Sequence, residues 1–151
     1  MDVTARARRV PVLLAPLVVL GCASADEPGQ VRVEVGPQDV QVEPTQGCVD
    51  GEPARYPDTA PPILEVSPDA AITLTVPEAV AERGWSVQVF DERLEEIIGE
   101  VDVPAGTARF DDIGSSDVVP PAFYLVVVED KGGDCGEWSG AWPVGFLRAG
   151  G

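Results

Sequence analysis

The chain contains no histidine, a single methionine and, at Lys131, a single lysine against nine arginines. Without histidine there is no imidazole general base, no His-based triad and no His-ligated metal site. Catalytic motifs are missing as well: there is no Gly-x-Ser-x-Gly, no Ser-x-x-Lys, no Cys-x-x-Cys and no glycine loop that could cradle a phosphate. Positive charge is scarce, with 10 basic side chains against 26 acidic ones and a net charge of −16. Such a surface repels phosphate backbones and anionic lipid headgroups, which excludes nucleic acid as a partner. What remains is ample for one globular domain. The 151 residues are 44 % hydrophobic, and sixteen glycines with fifteen prolines mark a loop-rich chain.

The N-terminus reads as an address. Arg6, Arg8 and Arg9 precede an apolar run from Val10 to Leu20, the pattern of a secretory signal. As a helix that run would span about 16 Å, against a hydrocarbon core about 30 Å thick, and Pro11 and Pro16 interrupt it. It ends in Val19-Leu20-Gly21-Cys22, which resembles the lipobox of bacterial lipoproteins. The resemblance implies cleavage between Gly21 and Cys22 and a diacylglyceryl group on the Cys22 thiol, although Leu20 stands where a small residue is usual. Two or more acyl chains there anchor stably, where one is marginal. The alternative is a secreted protein cut after Ala23 or Ala25. Removing residues 1–21 takes away three arginines and one aspartate, leaving a net charge of −18. Attachment to a membrane is therefore expected through the lipid on Cys22 and not through surface charge. The expected organisation is a lipoprotein signal peptide (1–21), a flexible tether (22–29) and one domain (30–151).

From Gln30 onward, period-two alternation dominates. Val31, Val33 and Val35 alternate with polar residues, as do Val40 and Val42, then Ile72, Leu74 and Val76, then Trp85, Val87 and Val89. Residues 109–113, 122–128 and 138–147 continue the series, and Pro and Gly separate the segments. One short helical turn is expected over Pro77–Arg83, with Pro at its start and Gly84 after its end. Seven to nine short strands predict an all-β fold, an immunoglobulin-like antiparallel β-sandwich. Trp85 opens a central strand, Tyr124 stands where a tyrosine corner would begin a late strand, and both are expected in the core.

With Cys22 assigned to lipid, Cys48 and Cys135 are expected to pair, as two cysteines in an exported domain do. Closing that loop constrains the unfolded chain by about 4–5 kcal/mol in the chain-entropy model. Adjacent carboxylates such as Asp91 with Glu92, Glu95 with Glu96 and Asp111 with Asp112 are numerous enough to be chance. The segment Glu129–Glu137 offers oxygen ligands on a glycine-rich loop, which suits a hard cation. It lacks EF-hand spacing and reads more simply as a hairpin loop, so no metal and no cofactor are expected.

The pattern Val40-x-Val42-x-Pro44 with Cys48, then Leu74-x-Val76-Pro77-x-x-Val80, Gly84-Trp85 and Val89-Phe90 resembles a family of small actinobacterial lipoproteins, the domain of unknown function 2771. Gly84 and Phe90 depart from it, standing where Pro and Tyr are common. The resemblance implies an exported, anchored, disulfide-bearing β domain at the extracytoplasmic face of the cell membrane, and it brings no catalytic residues. The expected function is a non-enzymatic interaction module for an unidentified envelope protein or ligand. The alternatives are a secreted small-ligand or cation-binding domain and, last, a carboxylate-based hydrolase.

Overall fold

The computed structural model describes residues 28–129, 135 and 139–150. The expected signal peptide with Gly21, Cys22 and most of the expected tether, and most of the loop 129–137, lie outside the described residues. Eleven strands are described: β1 (Val31–Val35), β2 (Gln38–Val42), β3 (Gln46–Val49), β4 (Glu52–Arg55), β5 (Ile63–Val66), β6 (Ala71–Thr75), β7 (Trp85–Phe90), β8 (Ile97–Val103), β9 (Arg109–Gly114), β10 (Ala122–Glu129) and β11 (Gly140–Arg148). A short helix, α1 (Glu78–Arg83), joins β6 to β7, and a 3-10 turn (Ser115–Asp117) follows β9.

The strands form two sheets, β2-β1-β6-β9 and β4-β3-β11-β10-β7-β8, with β5 added in parallel to β11. The other ladders are antiparallel. Alternation drives this stacking, because every second side chain of a strand faces the opposite sheet. Val31, Val33, Val35, Ile72 and Leu74 from one sheet meet Val87, Leu125, Val127, Trp142 and Val144 from the other in one buried core. The order β1-β6-β9 over β8-β7-β10-β11 is that of strands A-B-E over C′-C-F-G in an immunoglobulin-like sandwich. Among the described residues no strand occupies the place of D, beyond β9.

Helix α1 carries the chain from one sheet to the other. Pro77 sits at its N-cap, and Val80 and Ala81 are buried in the core. Gly84 ends it at φ 94° and ψ 151°, a backbone region essentially closed to residues with a Cβ and to the fixed φ of proline. The departure from the family pattern at Gly84 is therefore a requirement of this backbone.

Trp85 lies in the core as expected. Its Nε1 donates to the Thr107 carbonyl at 2.8 Å, and its ring meets Phe110 edge-on at 6.3 Å. Tyr124 does not. Phe123, Leu125 and Val127 take the inward positions of β10, which turns Tyr124 to the outer face, half-buried against Phe90, Val126 and Val128. Its ring packs over Gly145, its direct partner on β11, so closely that a Cβ there would lie 2.9 Å from Tyr124 Cε1. Period two decides the matter: one residue of offset moves a side chain to the other face.

Cys48 on β3 and Cys135 form a disulfide with a Cα–Cα distance of 5.8 Å. It ties the β3–β4 hairpin to the connection between β10 and β11.

Candidate functional site

A sandwich of two open sheets has two flanks, and here they differ. On one flank β2 lies against β11, β5 runs alongside β11, and Gln38 Nε2 on β2 donates to the Glu65 carbonyl on β5 at 2.6 Å. The other flank is bounded by the edge strands β8 and β9. Between them runs an open groove of about 560 Å³.

Val89, Val101 and Ile113 give the groove an apolar lining, and Ile98 and Val119 stand at its sides. These apolar side chains are exposed: Ile98 is 43 % accessible, Val101 39 % and Val119 90 %. Gly99 contributes no side chain, and a Cβ placed on it would meet Val89 at an ordinary 3.5 Å. The groove is thus open partly because this position is glycine. Glu100, Asp112 and Asp117 supply the charge, and no basic residue lines it.

Both walls are built by specific contacts. The β7–β8 turn is held by Asp91, whose Oδ1 accepts from the backbone N–H of Glu95 at 2.8 Å and of Glu96 at 3.2 Å. Those bonds favour the ionised form and hold the Asp91 carboxyl below the usual carboxylate range. The opposite wall, Val118 to Pro120, has no regular structure and is fixed by Arg148 at the end of β11. Its Nη1 donates to the carbonyls of Ser115 (2.7 Å) and Val118 (2.8 Å), and its Nη2 to that of Val119 (3.1 Å). Ser115 is fully buried and locks the same turn, its Oγ donating to the Ser67 carbonyl and accepting from the Ala70 N–H. Asp117 Oδ2 accepts from the Gly114 N–H at 2.6 Å.

Of the residues named from the sequence, Val89 of the alternating strand and Asp112 of an adjacent carboxylate pair line this groove; the expected site residues do not. Cys48 and Cys135 belong to the disulfide, Trp85 to the core and Tyr124 to the outer face; Gly21 and Cys22 lie outside the described residues. Of the suggested cation loop, Glu129 and Cys135 are described. Glu129 is buried and paired with Arg83. Among the described residues, no group of three or more acidic or cysteine side chains could hold a metal ion. Nor is any described helix long and apolar enough to cross a membrane.

A family model described as "Protein of unknown function (DUF2771)" matches residues 24–103, more than half of the chain. The chain belongs to the DUF2771 family. A search of the curated proteins found no match, and a search of the solved structures found none. The DUF2771 match runs from residue 24 through β8. It therefore contains one wall of the groove, whereas β9, the Val118–Pro120 wall and Arg148 lie beyond it. In this DUF2771 protein the groove is completed by the less family-like third of the chain.

Proposed function

We propose that this DUF2771 protein is a lipid-anchored, non-enzymatic envelope lipoprotein whose sandwich recognises another envelope component through the groove between β8 and β9. The observation that carries the reading is the groove itself, an exposed apolar channel between two edge strands. Soluble monomers rarely leave a contiguous apolar patch uncovered without a binding role. The anchor rests on the sequence, on Gly21-Cys22 at the end of the apolar run.

Three carboxylates in one groove invite comparison with a hydrolase. Asp117 is engaged in capping Gly114, and Glu100 and Asp112 are both solvent-exposed. A carboxyl acting as general acid relies on burial to keep its proton near neutral pH, and the rest of the lining is largely apolar. The arrangement suits adhesion to a surface better than chemistry on a substrate.

Two measurements test the proposal. Replacing Cys22 with alanine is expected to leave an uncleaved precursor or to release the protein from the membrane fraction; unchanged fractionation and migration would remove the anchor from the proposal. For the groove, a photo-crosslinking residue at Val119 in intact cells is expected to capture a discrete partner. The same residue at Gln41, exposed on the far edge strand β2, is expected to capture none. Equal labelling from both positions would refute the assignment to the groove.

A further inference from the structure

The flank that forms the groove presents two strand edges, and they are not equivalent. β9 pairs with β6 with a register shift between Ile72 and Leu74, opposite which Asp111 and Asp112 are both exposed. Such a bulge interrupts the row of backbone donors and acceptors and blunts an edge against further pairing. β8 also has an irregularity, but at its start, opposite Val89 and Phe90. From Gly99 to Val103 its pairing with β7 is regular, and its other edge has no strand partner among the described residues. The intact edge of β8 therefore runs beside the apolar groove, and it carries exposed Ile98 and Val101 next to the acids Glu100 and Asp102, a charge that repels acidic strands and leaves basic ones admissible.

We propose that this edge accepts an extended polypeptide segment of another protein as an added strand, its side chains alternating between apolar and basic. The inference rests on the groove reading above and specifies the chemistry of the partner. Backbone pairing along Gly99–Val103 supplies register, and alternate side chains of the incoming strand drop toward Val89, Val101 and Ile113. The space above Gly99 receives one of them. Charge selects the remaining positions. Glu100 and Asp112 are exposed in the groove, and no ion pair engages either of them among the described residues. Lysine or arginine on the incoming strand complements them.

The same charge disfavours the two occupants nearest to hand. A second copy pairing edge to edge would bring Glu100 and Asp102 against a partner strand bearing the same acids, and like charges opposed across a ladder are destabilising. The chain's own tether offers Asp26 and Glu27 and meets the same repulsion.

The test uses the intact exported protein and three synthetic peptides of about nine residues. One alternates valine with lysine, one valine with glutamate, and one serine with lysine. The valine–lysine peptide is expected to bind at least about tenfold more tightly than either of the others. It should protect backbone amides of Gly99–Val103 from hydrogen exchange, and its binding should weaken with salt. Gly99→Leu fills the groove from a position with room for a side chain and is expected to reduce binding by about tenfold or more while the melting temperature is held. Val101→Lys gives a second lesion by charge. Equal binding of the serine–lysine peptide would reveal bulk electrostatics alone and overturn the proposal. So would protection that maps to β9 or the outer face, or full binding by a folded Gly99→Leu protein. If the Val119 cross-link succeeds in cells while the valine–lysine peptide fails, the groove stands and the added-strand chemistry falls. If both fail, the groove reading falls with it.

Discussion

The two flanks of this sandwich solve the same problem in different ways. At the β2/β11 flank, β5 lies in parallel along β11, Gln38 bonds to the β5 backbone, and the disulfide from Cys48 to Cys135 fastens the hairpin that extends the sheet. At the β8/β9 flank the space beyond both edges is left unfilled, and three hydrogen bonds from Arg148 hold one wall of the resulting groove. One flank is reinforced by an added parallel strand, a side-chain bond from β2 and a nearby disulfide. The other is shaped by side chains and left accessible. Stability is thus concentrated away from the surface that remains open, which is how a rigid scaffold can carry an exposed recognition edge.

That contrast can be broken at its strongest point first. Replacing both Cys48 and Cys135 with serine, or reducing the bond, is expected to cost about 2–5 kcal/mol in denaturant unfolding. The valine–lysine peptide should still bind whatever fraction remains folded. Binding lost in proportion beyond the unfolded fraction would mean that the two flanks are coupled. At the open flank, Arg148→Met preserves the length of the side chain but leaves the carbonyls of Ser115, Val118 and Val119 without their donor. The expected cost is about 1–3 kcal/mol, with exchange of the Ser115 amide, which donates to the Ala70 carbonyl in the same turn, accelerated more than that of the β10 core. Uniform acceleration would show that Arg148 supports the whole fold and not one wall.

The smallest expected effect is at the turn that feeds β8. The Asp91 carboxyl is depressed by its backbone hydrogen bonds, so its stabilising contribution is full at neutral pH. It is lost as the pH falls below about 4, through the folded-state value. Asp91→Ala is therefore expected to melt slightly below the parent protein at pH 7 and to converge with it in strong acid. A difference that persists unchanged at low pH would show that the turn does not depend on the ionised carboxylate.

Much of the frame was legible because its strands are amphipathic. β1, β2, β6 and β7 show period two directly, β10 announces itself as an apolar run, and Pro77 and Gly84 bracket α1. Three strands carried little of that signal. Gln-Gly-Cys-Val and Glu-Pro-Ala-Arg, in β3 and β4, form a ladder extended from β11 by backbone pairing, which leaves no hydrophobic period. β8 reads Ile-Ile-Gly-Glu-Val-Asp-Val and is exposed over most of its length, as an edge strand is. β5 does alternate, but too briefly to stand apart from the Pro-rich segment around it. The groove escaped for a related reason: it is produced by an empty place beyond β8 and β9, and its wall at Val118–Pro120 is held by an arginine about thirty residues away. The available signals were Val118-Val119-Pro120-Pro121 and Ile97-Ile98, apolar groups in segments with no apparent core to join. Tyr124 was misplaced for the opposite reason, because a resemblance to a corner motif overrode the alternation of its own strand.

The indole of Trp142, buried in the core, donates from Nε1 to the carbonyl of Gly29 at 2.7 Å. That bond fixes the start of the described chain to the core. If Cys22 carries the lipid, seven residues separate the bilayer from Gly29, and even fully stretched they reach only about 25 Å. A domain on so short a tether rides close above the lipid headgroups and sweeps a shallow layer. On that reading, a basic strand offered to β8 would have to reach it close to the membrane surface.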